Sequence, residues 1–279
     1  MWGYAAVLPV ISALVWLSML LGMLLWWVTS GSPLLPSMVD DQNQTIAYIS
    51  DVGAFTLKPL FISMSSVMVV TLNASFLVER YLRHSGLLAA NTSRVQKGLS
   101  IGSIIFSTIG GAGIILLSIF DTYRHNTLHN VFLLCFIGGY VVSAILVCAE
   151  YQRLGIHYRQ HRILRISFWV KLFFIIVECL LAIAFVSTNW TSHYNVAAVF
   201  EWIVAFIFTL YALSFALDLL PAVQTARHVP QGLKDAEKNL QNGGDQMGRP
   251  EGSVNEFGMA SVEQPQRAQQ SRLSRFISW

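Results

Sequence analysis

Apolar residues run without alternation through six stretches of the chain, at residues 7–28, 59–78, 98–120, 130–151, 169–186 and 196–217. Crossing about 30 Å of hydrocarbon takes roughly 20 helical residues, so the runs are of a length to span a bilayer. Lipid-exposed strands would alternate polar and apolar positions and would need a closed barrel to satisfy their backbone. The pattern therefore predicts an all-α polytopic membrane protein, a bundle of six transmembrane helices. The first run exceeds the roughly 7–15 residues of a signal-peptide core and has no Lys or Arg before it, so it is expected to remain as an anchor. After Pro221 the pattern breaks. Residues 224–270 are rich in Gln, Gly, Asn, Pro and mixed charge, too poor in large apolar side chains to offset the entropy of ordering. The expected domains are a membrane domain at 1–222 and a cytoplasmic, largely disordered tail at 223–279. At its end, Arg272, Leu273, Arg275, Phe276, Ile277 and Trp279 form either a basic amphipathic element for an anionic leaflet or a frayed terminus.

Composition agrees. Of 279 residues, 54% are hydrophobic and 12% charged, against about 25% charged in ordinary soluble domains. The mean hydropathy is +0.54. A typical cytosolic enzyme, a nucleic-acid binder and a disordered scaffold are thereby excluded. The formal net charge of +3 is informative only through its distribution. Arg80, Arg83, Arg94 and Lys97 follow the second span; Arg153, Arg159, Arg162 and Arg165 follow the fourth. The alternate loops carry Lys58 and Arg124. Basic short loops face the cytoplasm, which places both termini there. The same residues offer a surface to anionic phosphoinositides, although orientation alone also accounts for them. On the outer side, the sequons beginning at Asn43 and Asn189 are candidate glycosylation sites, whereas Asn91 falls in a cytoplasmic loop.

Candidate chemistry comes from polar residues in or beside the bilayer. Cys135, Cys148 and Cys179 lie in apolar runs and are odd in number, which supports neither a disulfide framework nor a zinc site. No metal site and no cofactor are expected. Intramembrane ionisable groups are costly and so are functional candidates. Lys171 lies near enough to the cytoplasmic end to snorkel, and Asp218 can face headgroups. Glu178, near the midplane, is either protonated or bonded to a small polar residue such as Asn73. Gly102, Gly110, Gly111 and Gly113 of the third span, with Gly138 and Gly139 of the fourth, indicate close helix packing or a lipid groove. At the outer edge stand Asp51, Asp121, His125, His129 and Glu201. Residues 121, 125 and 129 share a helical face if the fourth span begins early. This set is either a hydrogen-bonded clasp holding loops to helix ends, which we favour, or a site for a lipid headgroup, a metal or acid–base chemistry. No G-x-S-x-G, P-loop or H-E-x-x-H motif occurs, no histidine lies within a span to hold haem, and no transporter-like repeat is evident. No catalytic residue is assigned.

The same positions carry a family resemblance. Ile49-Ser50-Asp51-Val52-Gly53 precedes the second span. Phe120-Asp121 is followed by His129 and Phe132. Glu201-Trp202, Tyr211, Ser214-Phe215 and Asp218 mark the sixth span. Over residues 1 to about 222 the chain resembles the six-span family of damage-regulated autophagy modulators, FGF-receptor-activating-gene proteins, the fungal suppressor-of-four-kinase protein and the N-terminal half of the calcofluor-white-hypersensitive protein. The long first loop and charged tail are similar to the suppressor-of-four-kinase type. That resemblance implies a non-enzymatic regulator at the plasma membrane, supporting recruitment of a phosphatidylinositol 4-kinase complex or phospholipid asymmetry. Other branches imply remodelling of GPI-anchor lipids in the ER or Golgi, or autophagy at a vacuolar or lysosomal membrane. The family motif falls on Asp51, Asp121, His129, Glu201 and Asp218, and no catalytic role comes with it. The C-terminal domain of the calcofluor-white type has no counterpart in the tail, so activities that need it are not expected.

Overall fold

In lipid the backbone has only itself to hydrogen-bond, so long apolar runs close into helices. The computed structural model describes residues 5–38, 44–85, 88, 93–157 and 162–225. Seven helices follow in order: α1 Val7–Thr29, α2 Ile49–Val52, α3 Lys58–His84, α4 Arg94–Ile119, α5 Asn126–His157, α6 Arg162–Trp190 and α7 Tyr194–Thr225. All but the short α2 are long and apolar enough to cross a membrane, and the described residues contain no strand. The fold is the expected six-span bundle. The tail beyond residue 225 lies outside the described residues.

Local chemistry sets the helix ends. Gly31 takes a positive φ of 84° just past α1, a conformation glycine adopts without strain. Pro59 sits in the first turn of α3, where no partner is needed for its missing N–H. Ser93 and Gln96 form a capping box on α4. The Ser93 hydroxyl accepts from the Val95 N–H at 3.3 Å, and the Gln96 side-chain carbonyl accepts from the Ser93 N–H at 3.2 Å.

The spanning helices close a ring in which each packs on the next, α1 meeting both α3 and α7. Trp16, Met19, Met23, Met68, Leu72 and Phe215 fill its interior. Leu14, Leu25, Val70, Leu134, Leu180 and Ile183 are exposed on the outside, where acyl chains would solvate them.

The closest approach is between α4 and α5. A Cβ on Gly139 would stand 2.5 Å from the Gly110 nitrogen, and one on Gly113 would stand 2.6 Å from the Phe136 nitrogen. Here backbone meets backbone, so these glycines serve packing and do not line a groove. The Ser143 hydroxyl adds a bond to the Ser103 carbonyl at 2.8 Å. Asn73 is also committed to α4: its carbonyl oxygen accepts from the Ser107 hydroxyl at 2.8 Å, and its amide donates to Val69 O at 3.1 Å. It is therefore not the partner of Glu178.

Candidate functional site

Polar side chains concentrate at the two ends of the bundle. At one end the chain between α1 and α3 crosses the top of α7. Its backbone N–H groups lie away from any sheet or helix ladder and need acceptors. The α7 side chains supply them. The Asn195 carbonyl accepts from the Thr45 N–H at 2.7 Å and the Ile46 N–H at 2.9 Å, and Glu201 Oε2 accepts from the Ile49 N–H at 2.7 Å. In return, the Trp202 indole donates to the Ala47 carbonyl at 3.0 Å. Asp51 is buried and accepts from the Tyr48 N–H at 3.0 Å and the Gln44 amide at 3.1 Å. Burial outweighs these bonds and holds its carboxyl above the ordinary range. Gly53 is required by closeness: a Cβ there would stand 2.5 Å from the Phe61 ring.

Asp121 belongs to a neighbouring but separate arrangement. Its side chain is almost fully covered. It receives the Lys58 ammonium at 2.6 Å, the Arg124 guanidinium at 3.1 Å and the Arg124 N–H at 2.7 Å. Desolvation opposes ionisation, but these three contacts hold the carboxyl below its usual value. His129 is buried, with Nδ1 3.1 Å from the Leu117 carbonyl and 3.0 Å from the Phe120 carbonyl. Both neighbours can only accept, so Nδ1 carries the proton and caps the C-terminal carbonyls of α4. His125 is exposed, with its ring against Phe120. The five outer-edge residues are thus spread over two binding arrangements and a surface ring. Within the described residues no group of His, Cys, Asp and Glu could hold a metal ion. Asn189 is exposed in the last turn of α6 and accepts from the Tyr48 hydroxyl at 3.2 Å. Asn43 lies outside the described residues.

The opposite end holds a buried ionic network that sequence reading largely missed. Arg83 donates to Glu79 Oε1 from Nη2 at 2.7 Å and from Nε at 3.2 Å, and Glu150 approaches it at 3.9 Å. The Tyr151 hydroxyl donates to the same Glu79 oxygen at 2.6 Å. Lys171 pairs with Asp218, and the Ser167 hydroxyl bonds both. The Tyr151 ring links the two pairs, with Arg83 5.0 Å and Lys171 4.8 Å from its centroid; Phe215 covers Lys171 at 4.4 Å. Every one of these charged side chains is buried, Lys171 to 0% exposure.

Three expectations are corrected here. Lys171 does not snorkel and Asp218 does not face headgroups, because each neutralises the other inside the bundle. Arg83 does not join the exposed basic face, because Glu79 and Glu150 hold it inside. Of the other basic residues, Arg94, Lys97, Arg153 and Arg165 are exposed, and Arg80 donates to the Lys97 carbonyl at 3.3 Å. Arg159 and the side chain of Arg162 lie outside the described residues. The missed residues are Glu79, Glu150, Tyr151 and Ser167. One signal for them was present in the sequence: Glu79 and Arg83 stand four apart at the end of an apolar run, the spacing of a helical ion pair.

Comparison with known proteins identifies the family. The family described as the Frag1/DRAM/Sfk1/Cwh43P N-terminal domain matches residues 4–222. Protein sfk1 of Schizosaccharomyces pombe is 31% identical over 226 residues, covering 80% of this chain and 66% of its own length. Protein SFK1 of Saccharomyces cerevisiae is 27% identical over 179 residues, 54% of this chain and 50% of its own. The chain therefore spans between half and two thirds of these relatives' lengths. No solved structure matches. The matched region takes in all six spans, the α2 end and the buried ionic network, and the chain is accordingly a multi-pass integral membrane protein belonging to the Frag1/DRAM/Sfk1/Cwh43P N-terminal-domain family.

Proposed function

We propose that this protein is a non-enzymatic regulator of lipid homeostasis at the plasma membrane. In this role its basic end and tail face the cytoplasm and support a phosphatidylinositol 4-kinase complex, phospholipid asymmetry, or both. The observation that carries the reading is the match to the two fungal sfk1 proteins through the membrane domain. Supporting it, Asp51, Asp121, His129 and Glu201 all bind backbone or an ion-pair partner, as a clasp requires. The exposed Arg94, Lys97, Arg153 and Arg165 lie at the end opposite α2, where anionic lipid would meet them. In that orientation the α2 end and Asn189 face outward.

The test is plasma-membrane phosphatidylinositol 4-phosphate, followed with a fluorescent reporter in cells lacking the protein. The signal is expected to fall, to recover with the full chain and to stay low with a chain stopped after Gln224. An unchanged signal in the cells lacking the protein would overturn the kinase-support reading and direct attention to GPI-anchor lipids.

A further inference from the structure

Between the two polar ends, in the half of the bundle nearer α2, the helices leave a cavity. It admits the centre of a water-sized sphere over about 100 Å³, several times the roughly 10–15 Å³ that one water needs. Its walls are almost entirely apolar, with Trp16, Phe61, Phe136, Phe208 and Ile175 among them. Two glutamates line it, Glu178 and Glu201, and among the described residues no Lys, Arg or His side chain does. Glu201 is already engaged by the Ile49 N–H. Glu178 is not: its Oε1 is buried with no hydrogen-bond partner among the described residues. An unmatched carboxyl in apolar surroundings is costly; taking up a proton lowers the cost, and a hydrogen-bonding partner supplied through the cavity would lower it further.

The walls indicate where such a partner comes from. Lining residues on α1, α3 and α7, such as Trp16, Phe61 and Phe208, are buried. On α5 and α6 the lining is mixed: Tyr140, Ala144 and Phe185 are buried, whereas Ile137, Val141, Ile175 and Cys179 keep partial exposure. Of the six spanning helices α6 is the least buried. A Cβ on Gly138, beside Ile137 on α5, would meet nothing within 4 Å. The α5–α6 side is thus the less covered wall of the cavity and the side from which a lipid chain would enter. The α6 lining runs from Ile175 to Phe185, a rise of about 15 Å, or half the hydrocarbon thickness.

We propose that this cavity binds a chain-bearing lipid whose small head offers an O–H or N–H donor and carries no phosphate, the chain lying along α6 and the head meeting the Glu178 carboxyl. A phosphate there would face two carboxyl groups without a cation to offset its desolvation. A hydroxyl or ammonium head supplies what Glu178 lacks. The proposal is independent of the kinase-support reading, because it concerns the membrane half nearer α2 and its test measures binding alone.

The test uses the full chain in lipid nanodiscs and three clickable photo-crosslinking probes bearing the same diazirine chain: a long-chain amino alcohol, a diacylglycerol and a phosphatidylinositol. Cross-linked peptides are mapped by mass spectrometry. The amino-alcohol or diacylglycerol probe should label residues 137–144 or 175–185, with the phosphatidylinositol probe at least about tenfold weaker. Labelling by the amino alcohol alone identifies an ammonium head; labelling by the diacylglycerol identifies a neutral hydroxyl. Glu178→Leu should reduce labelling about tenfold, the scale of one hydrogen bond to a carboxyl group. It should also raise the melting temperature of the lipid-free protein, since it removes an unmatched buried group. Ala182→Phe, which fills the cavity from α6, should abolish labelling. Equal labelling by phosphatidylinositol, labelling unaffected by Glu178→Leu, or no labelling of these segments would overturn the proposal.

Discussion

Lys171→Met is expected to cost about 3–5 kcal/mol of stability, enough to remove most folded protein from the membrane, because it strands Asp218 inside the bundle. Lys171 is fully buried, and Asp218 draws its other bond from Ser167, a neutral group that cannot balance a carboxylate. The double variant Lys171→Met/Asp218→Leu should recover much of the loss, since an ion pair replaced by apolar groups of similar volume is often close to neutral. Thermal unfolding of detergent-solubilised protein, followed by size-exclusion fluorescence, gives both values in one double-mutant cycle. A double variant as unstable as the worse single variant would show that the pair is not the unit of stability. The Tyr151 ring would then be the place to look, since it meets both Arg83 and Lys171.

The α4–α5 contact gives the second large effect. Gly139→Ala places a methyl group 2.5 Å from the Gly110 nitrogen and 2.9 Å from the Phe106 carbonyl. Neither is the end of a movable side chain, so the helices themselves must separate. Overpacking typically costs about 1–3 kcal/mol, and a backbone-to-backbone clash belongs at or above the top of that range. Gly138→Ala, one residue away, meets open space. It should leave the melting temperature unchanged or raise it slightly, because alanine is the better helix former. The pair of variants separates close approach from helix propensity. Equal destabilisation at both positions would contradict the packing account.

What the sequence made legible was position along each helix axis. Apolar length alone is enough to locate six spans, and the spacing of Gly110, Gly113 and Gly139 is enough to suspect a tight helix pair. Position around the axis was not legible. Lys171 looked able to snorkel because it lies near a helix end, yet its side chain turns inward to Asp218 on another helix, a pairing no local pattern encodes. The ends of the apolar runs also misled. Placing the end of the second span at residue 78 put Glu79 and Arg83 in a loop, but α3 continues to His84 and carries both into the interior. At the other end, Asp51, Asp121, His129 and Glu201 were identifiable as a polar set. Their partners were mostly backbone N–H and carbonyl groups, whose positions depend on the path of the loop across α7 for Asp51 and Glu201, and on the α4–α5 turn for Asp121 and His129.

That difference bears on function, because a clasp and a catalytic site predict different outcomes for the same substitutions. The most direct measurement sets complementation of the phosphatidylinositol 4-phosphate reporter beside folded abundance for Asp51→Asn, Asp121→Asn, His129→Gln and Glu201→Gln. Abundance is read as surface protein with native melting temperature. The account predicts that activity falls only as far as folded protein falls, along one line for all four variants. A variant such as Asp121→Asn that is fully folded, correctly located and inactive would contradict it, and would make the α2 end a site of chemistry.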